Sequence, residues 1–364
     1  MFTQTMTQGV GRRLLAGPRM SALANLLTGP HGVDRYTELV EPTWTRGDAR
    51  AKVVAVRRQT SRSVTLTLEP NAAFAGFRAG QHINLSVEIN GRRRTRCYSP
   101  ASAEGASRLE LTIGRHEGGL VSNYLCDHAY PGMVLGLDSV GGDFVLPETL
   151  PKRILFVSGG SGITPVLSML RTLRAQAFTG EIAFLHYARG VEEACYRAEL
   201  AEFAAMPGVR VLHGYTRDGR EGDLDGHFDA AHLSAAIPGG DPEAVFVCGP
   251  PALVDAVRLH CPDAISESFV PPTFAVPTDA IGGTVAFTSS GIEATNDGQT
   301  LLAQAEAAGL SPESGCRMGI CHSCTRFKRS GAVRNLITGA VSTADCENIQ
   351  ICVTAPVGDV AIDL

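Results

Sequence analysis

The chain has 364 residues, 44% of them hydrophobic and 19% charged, with a formal net charge of −5. That length exceeds what one ordinary core serves, so two or three domains are expected. The slightly acidic balance speaks against nucleic-acid binding, and 10 cysteines, several of them clustered, suit metal or redox use better than a disulfide scaffold.

Residues 1–47 read as an N-terminal extension. Arg12 and Arg13 precede a short apolar stretch, faintly like an export signal, but Pro18 and Arg19 interrupt it before an h-region forms. The segment "SALANLL" is expected to form a short helix that packs on the body or touches a membrane surface or partner. Nowhere does the chain offer the roughly 18 consecutive apolar residues that a membrane span needs.

From Ala51 the pattern alternates with period two, in "KVVAVRRQT", "SVTLTLEP", "HINLSVEIN" and "LELTIGRH". Asn90-Gly91 sits between two such runs, a hairpin signal. Residues 48–149 are therefore expected to form an antiparallel β-barrel. Within it, "TRCYSPAS" puts Arg96 and Tyr98 on one face of a strand with Ser99 beside them. A guanidinium grips a diphosphate, a phenol covers an isoalloxazine, and a hydroxyl reaches a flavin nitrogen. Alone, the same residues describe a surface Arg and a core Tyr. Further on, "EGGLVSNYL" places Gly119 and Ser122 at a helix start, where backbone N–H groups suit a phosphate.

At Pro151 the pattern changes to βα alternation, so residues 150–272 read as an α/β Rossmann-like domain on a parallel sheet. "RILFVS" runs into the Gly-rich turn "SGGSGITP" and a helix with Val166, Met169, Leu170 and Leu173 on one face. Gly160 and Gly162 let backbone approach a pyrophosphate, and Thr164 offers a hydroxyl. "VFVCGPP" ends a buried strand at Cys248-Gly249, on the carboxyl edge where ligands of such sheets bind. After the second strand of this unit, "EIAFLHYA", Arg189 comes before Glu192 and Glu193. That order favours a 2′-phosphate and hence NADPH, with NADH the second choice. Cys97, Cys126, Cys195 and Cys261 read as packing residues.

A linker rich in proline is expected after Cys261, and residues 273–364 form a third unit. Its "SGCRMGICHSC" spaces Cys316, Cys321 and Cys324 as C-x4-C-x2-C, the plant-type 2Fe–2S spacing, where zinc sites would show paired C-x2-C knuckles. Cys352, in the apolar alternation "IQICVTA", is preferred as fourth ligand over Cys346 in a polar turn. The basic residues Arg317, Arg326, Lys328, Arg329 and Arg334 lie in or just after the loop. They read either as a solvated basic rim or as a face that docks an acidic acceptor.

R-x-Y-S, G-x-x-S, "GGSGITP" and "CGP", with the cysteine loop at the C-terminal end, together resemble the ferredoxin–NADP reductase superfamily, in its flavin and iron–sulfur reductases. The resemblance spans residues 50–364. It implies that Arg96, Tyr98 and Ser99 bind the flavin with Ser99 near N5, and that Gly119 and Ser122 hold the diphosphate. It also implies FAD rather than FMN, Cys248 and Gly249 beside the nicotinamide, and a β-grasp (α+β) plant-type ferredoxin domain. Gly114 departs from the basic residue often found there, with Arg115 adjacent. Relatives of this kind pass electrons to an acceptor protein. The segment "HGVDRYTELVEPTW" resembles reductase partners of membrane fatty acyl-CoA desaturases, and a soluble oxygenase component is the alternative acceptor. A redox-sensing iron–sulfur protein is a remote third reading. A monomer is expected, located in the cytoplasm or peripherally at the inner face of the membrane.

Overall fold

The computed structural model describes residues 37–45, 47–217, 222–269, 274–275 and 281–364. The helix expected at 21–27 and the Arg12–Arg13 segment lie outside them. Among the described residues no helix is long and apolar enough to cross a membrane.

The first unit is an antiparallel sheet of β1 (Arg50–Thr60), β2 (Ser63–Pro70), β3 (His82–Ile89), β4 (Arg92–Tyr98), β5 (Leu109–Gly114) and β6 (Val134–Gly141), in the order β4-β3-β6-β1-β2-β5. Its two end strands approach each other, so the sheet curls into the expected barrel. Alternate residues such as Leu66, Leu68, Ile83, Leu85, Leu109 and Leu111 fill the interior. Asn90 and Gly91 take φ of 53° and 70°, the left-handed pair that a two-residue hairpin turn requires. Helix α1 (Leu120–His128) packs against β4, β5 and β3.

The second unit is a wholly parallel sheet: β7 (Arg153–Gly159), β8 (Glu181–Ala188), β9 (Val209–Tyr215), β10 (Leu224–Asp225), β11 (Ala244–Cys248) and β12 (Ile265–Glu267), ordered β10-β9-β8-β7-β11-β12. The order reverses at β7, whose C-terminal end carries the Gly-rich turn, so that turn sits at the topological switch point. Helices α2 (Ile163–Ala175), α3 (Arg197–Ala204), α4 (Ala230–Ala236) and α5 (Pro251–His260) connect the strands. One expectation is corrected here. The stretch after Cys261 is not yet linker, because Ile265–Glu267 adds a sixth strand beside β11.

Helix α2 joins the first two units. Arg171 donates to Glu110 Oε2 at 2.7 Å and the Ala101 carbonyl at 2.9 Å on the barrel side, and to Glu199 at 2.7 Å on α3. Ser168 donates to the Ser102 carbonyl at 2.6 Å. The predicted helix face is buried, with Val166, Met169, Leu170 and Leu173 at 0–1% exposure.

The third unit is a mixed sheet of β13 (Thr284–Phe287), β14 (Ile292–Thr295), β15 (Thr325–Asn335), β16 (Val341–Ser342), β17 (Glu347–Gln350) and β18 (Thr354–Ile362). β13 and β18 pair in parallel, and the other pairs are antiparallel. Helix α6 (Leu301–Ala307) buries Leu301, Leu302 and Ala305 against Phe287, Val333, Val353 and Val360, the β-grasp arrangement. Cys352 is not on a closing strand: β17 ends at Gln350, and Cys352 lies in the turn before β18. There the backbone is free to bend the thiol toward the cysteine loop.

Candidate flavin, nicotinamide and iron–sulfur sites

On β4, Tyr98 packs its ring against the barrel core, and burial pushes its phenol pKa up. Ser99 follows, 3% exposed, with a hydroxyl that has no hydrogen-bond partner among the described residues. A buried orphan hydroxyl is costly unless a ligand completes it. α1, which packs on β4, begins after Gly119. A Cβ on Gly119 would stand 2.5 Å from Ser122 Oγ, so the turn is closed to any side chain there. Arg96 reaches elsewhere: its guanidinium donates to the Thr95 carbonyl at 2.8 Å and to the Ser314 carbonyl, in the cysteine loop, at 3.2 Å.

A cleft of about 800 Å³ opens between the barrel and the parallel sheet. Gly160, Gly162, Arg189 and Gly249 line it from the sheet side, Thr112 and His116 from the barrel side. Gly160 has φ of +56°, a conformation that glycine holds without strain. At Gly162 a Cβ would lie 2.2 Å from the Cys248 carbonyl oxygen, so the turns after β7 and β11 meet backbone to backbone. Thr164 is 2% exposed and donates its hydroxyl back to the Ser161 carbonyl at 3.3 Å; it does not line the cleft. Arg189 does line it, 56% exposed, with Glu193 at 3.7 Å.

Three residues near this junction carry no motif and escape a reading by pattern. Phe269 lines the cleft from the segment after β12. Glu267, on β12 and 13% exposed, places a carboxylate oxygen 4.0 Å from Cys248 Sγ and another 3.9 Å from His82 Nδ1. Burial raises the Glu267 pKa to about 8 and lowers that of His82. At neutral pH this is therefore a neutral acid beside a neutral imidazole rather than an ion pair. Cys248 itself is fully buried, and burial raises its thiol pKa. The available signal was "SESF", an acid in a short segment after a βα unit.

The cysteine loop brings its thiols together in two pairs. Cys316 hydrogen-bonds with Cys321, and Cys324 with Cys352; all four are at most 8% exposed. Within each pair the shared hydrogen bond lowers one thiol pKa and raises the other: Cys324 goes down against Cys352, and Cys321 against Cys316. Backbone N–H groups of Cys316 and Met318 point at Cys321 Sγ (3.1 Å) and Cys316 Sγ (3.3 Å). A Cβ on Gly315 would stand 2.5 Å from Cys321 Sγ. Two cysteine pairs, N–H···S bonds and a glycine cradle fit a 2Fe–2S cluster. Cys346 is exposed, away from this set in its polar turn.

Two expectations about this region are corrected. Cys97 is no mere packing residue: its sulfur lies within 4.8 Å of those of Cys316 and Cys321. The basic rim is also not a row of free charges. Lys328 is fully buried and paired with Glu347 at 2.6 Å, Arg317 pairs with Glu306, and Arg329 with Asp363. Arg326 spends its donors on the carbonyls of Ser323, Thr325 and Glu313, and Arg334 is engaged as well.

Comparison with known proteins agrees with this geometry. Residues 52–145 match the oxidoreductase FAD-binding domain family, 156–259 the oxidoreductase NAD-binding domain family, and 286–357 the 2Fe–2S iron–sulfur cluster binding domain family. Over 353 residues the chain is 34% identical to an NADPH oxidoreductase of Mycobacterium tuberculosis, covering 94% of this chain and 91% of that one. The chain belongs to the ferredoxin–NADP reductase superfamily, among its flavin and 2Fe–2S reductases. A further relative of this reductase is the glycine betaine monooxygenase reductase subunit of Pseudomonas aeruginosa, 29% identical over 88% of this chain and 96% of that protein. Among solved structures, phthalate dioxygenase reductase superposes with a TM-score of 0.58 at 25% identity, covering 86% of this chain and 97% of that one. The reductase carries FAD, nicotinamide and 2Fe–2S domains and transfers electrons from NAD(P)H through them.

Proposed function

We propose that the reductase draws electrons from NADPH and delivers them, one at a time, to an oxygen-activating partner protein. The flavin supplies the change from two-electron to one-electron transfer, and the cluster supplies a one-electron outlet. The chain's own residues do the positioning. Ser99, with its unpartnered hydroxyl, and Tyr98 would hold the flavin ring, and Gly119 and Ser122 its diphosphate; Arg96 would join them only by leaving the Ser314 carbonyl that it now holds. Gly160, Gly162 and Gly249 let backbone close on the nucleotide. Cys248 and Glu267 would stand beside the nicotinamide, and the buried acid holds its proton there at neutral pH. Cys316, Cys321, Cys324 and Cys352 hold the cluster. Two observations support this reading: a cleft between the barrel and the parallel sheet, and a cysteine loop hydrogen-bonded to β3 and β4.

NADPH is favoured by Arg189 just after β8, which lines the cleft with Glu193 at 3.7 Å, and by the name of the mycobacterial relative. Arg189→Ala is expected to lower kcat/KM for NADPH about tenfold and leave that for NADH nearly unchanged, equivalent to roughly 1.4 kcal/mol. Equal losses with both nucleotides would assign Arg189 another role.

Two acceptors suit this outlet. The segment 31–44 favours a membrane fatty acyl-CoA desaturase. Reductase relatives named for monooxygenase and dioxygenase systems favour a soluble oxygenase component. Reconstitution of the holoenzyme and NADPH with each acceptor class separates them: product from a desaturase in vesicles supports the first, product from a soluble oxygenase the second.

A further inference from the structure

Strand β3 has an unusual inner surface. Ile83, Leu85 and Val87 face the barrel core, as alternation requires, and His82, Asn84 and Ser86 share the opposite face. That polar face is also buried, at 3–4% exposure. A polar face of an antiparallel strand normally meets water; here the cysteine loop meets Asn84, Glu267 stands near His82, and Asp138 and Arg93 engage Ser86.

Asn84 is the point of attachment. It stands directly opposite Cys97 in the β3–β4 register. Its Oδ1 accepts from the Cys97 thiol at 2.9 Å, and its Nδ2 donates to Ser139 Oγ at 2.7 Å and to the carbonyl oxygen of Cys321 at 3.2 Å. The amide is thus completed from three places: β6, β4 and the backbone of a cysteine assigned to the cluster. Cys97 completes the contact from the other side, its sulfur within 4.8 Å of those of Cys316 and Cys321. It lies in sequence between Arg96 and Tyr98.

We propose that Asn84 and Cys97 form a latch that holds the cysteine loop against the flavin strand and so fixes the flavin-to-cluster gap. The latch exchanges no atoms: one electron leaves the reduced flavin, one arrives at the oxidised cluster, and the two side chains only hold the distance. Withdrawal of the loop gives up the bond from Asn84 Nδ2 to the Cys321 carbonyl, which favours the docked arrangement. Electron transfer between fixed groups is steeply sensitive to their placement, so a small slackening here has a large kinetic effect. The inference rests on the ligand set proposed above.

Asn84→Leu and Cys97→Ala holoenzymes test it, with Cys97→Ser as the conservative variant that keeps a donor for Asn84. Stopped-flow mixing with NADPH separates flavin reduction from cluster reduction, and hydrogen–deuterium exchange follows amides 314–324. The expected result for Asn84→Leu is normal flavin reduction, an unchanged cluster spectrum, cluster reduction slowed about tenfold or more, and faster exchange across the loop. Cys97→Ala is expected to show the same slowing and loosening, and Cys97→Ser to restore both. Unchanged cluster reduction and unchanged loop exchange in Asn84→Leu and Cys97→Ala overturn the latch. A failure of the ligand set looks different, since Cys321→Ser would then retain a normal cluster spectrum.

Discussion

Glu267 shows how burial alone prepares a residue for chemistry. Packed on β12 between Cys248 and His82, it keeps its proton to about pH 8. In the unfolded chain it would lose that proton near 4.5. A folded pKa above the unfolded one means that the stability is full below about pH 4.5 and drains as pH rises to about 8. Glu267→Gln cannot ionise. Its unfolding free energy should match the parent's at the acid end and exceed it progressively up to pH 8, by at most roughly 1.4 kcal/mol per pH unit. Thermal melts across that range check this, and parallel curves would mean that Glu267 is solvated. In kinetics, the same variant should lose an ionisation near pH 8 from the rate of flavin reduction. Ser99 belongs at this scale too. Ser99→Ala is expected to retain bound FAD and slow flavin reduction by about 10²-fold or less, as loss of one positioned donor does.

At the scale of elements, the site is made by turns that admit no side chains. Gly162→Ala would force a Cβ to 2.2 Å from the Cys248 carbonyl and push the β7 and β11 turns apart. A loss of about 1–3 kcal/mol in stability and a marked rise in KM for the nucleotide are expected, read by denaturant titration and steady-state kinetics. Such local turns were legible in the amino-acid pattern because spacing and residue type carry them: the Asn90-Gly91 hairpin, the Gly-rich turn after β7, and C-x4-C-x2-C. What pattern could not show is contact at long range. Cys97 looked like filler because its neighbours Cys316 and Cys321 are remote in sequence. Alternation in "HINLSVEIN" shows that His82 and Asn84 share a face, not what covers it. Lys328 looked like surface charge, yet β15 turns it inward to Glu347. Ile265–Glu267 was too short for a strand signal and pairs only because β11 lies beside it.

For the whole molecule, the three units work only if their spacing is held. Arg171 bridges Glu110 of the barrel and Glu199 of α3, each at 2.7 Å, with its side chain 18% exposed. Arg171→Leu leaves two acids facing each other without their cation. A loss of about 2 kcal/mol in stability, read as a fall in Tm, is expected together with slower flavin reduction from a loosened cleft. The cysteine loop adds the third unit through Arg96 and Asn84, so the route from nucleotide to cluster stays inside one chain. The most direct measurement of that route is the Cys321→Ser holoenzyme, assayed with NADPH against ferricyanide and against the protein acceptor. Near-normal ferricyanide turnover with transfer to the protein acceptor abolished is the expected result. Undiminished transfer to the protein acceptor in a variant lacking the cluster would show that electrons leave from the flavin and would contradict the account.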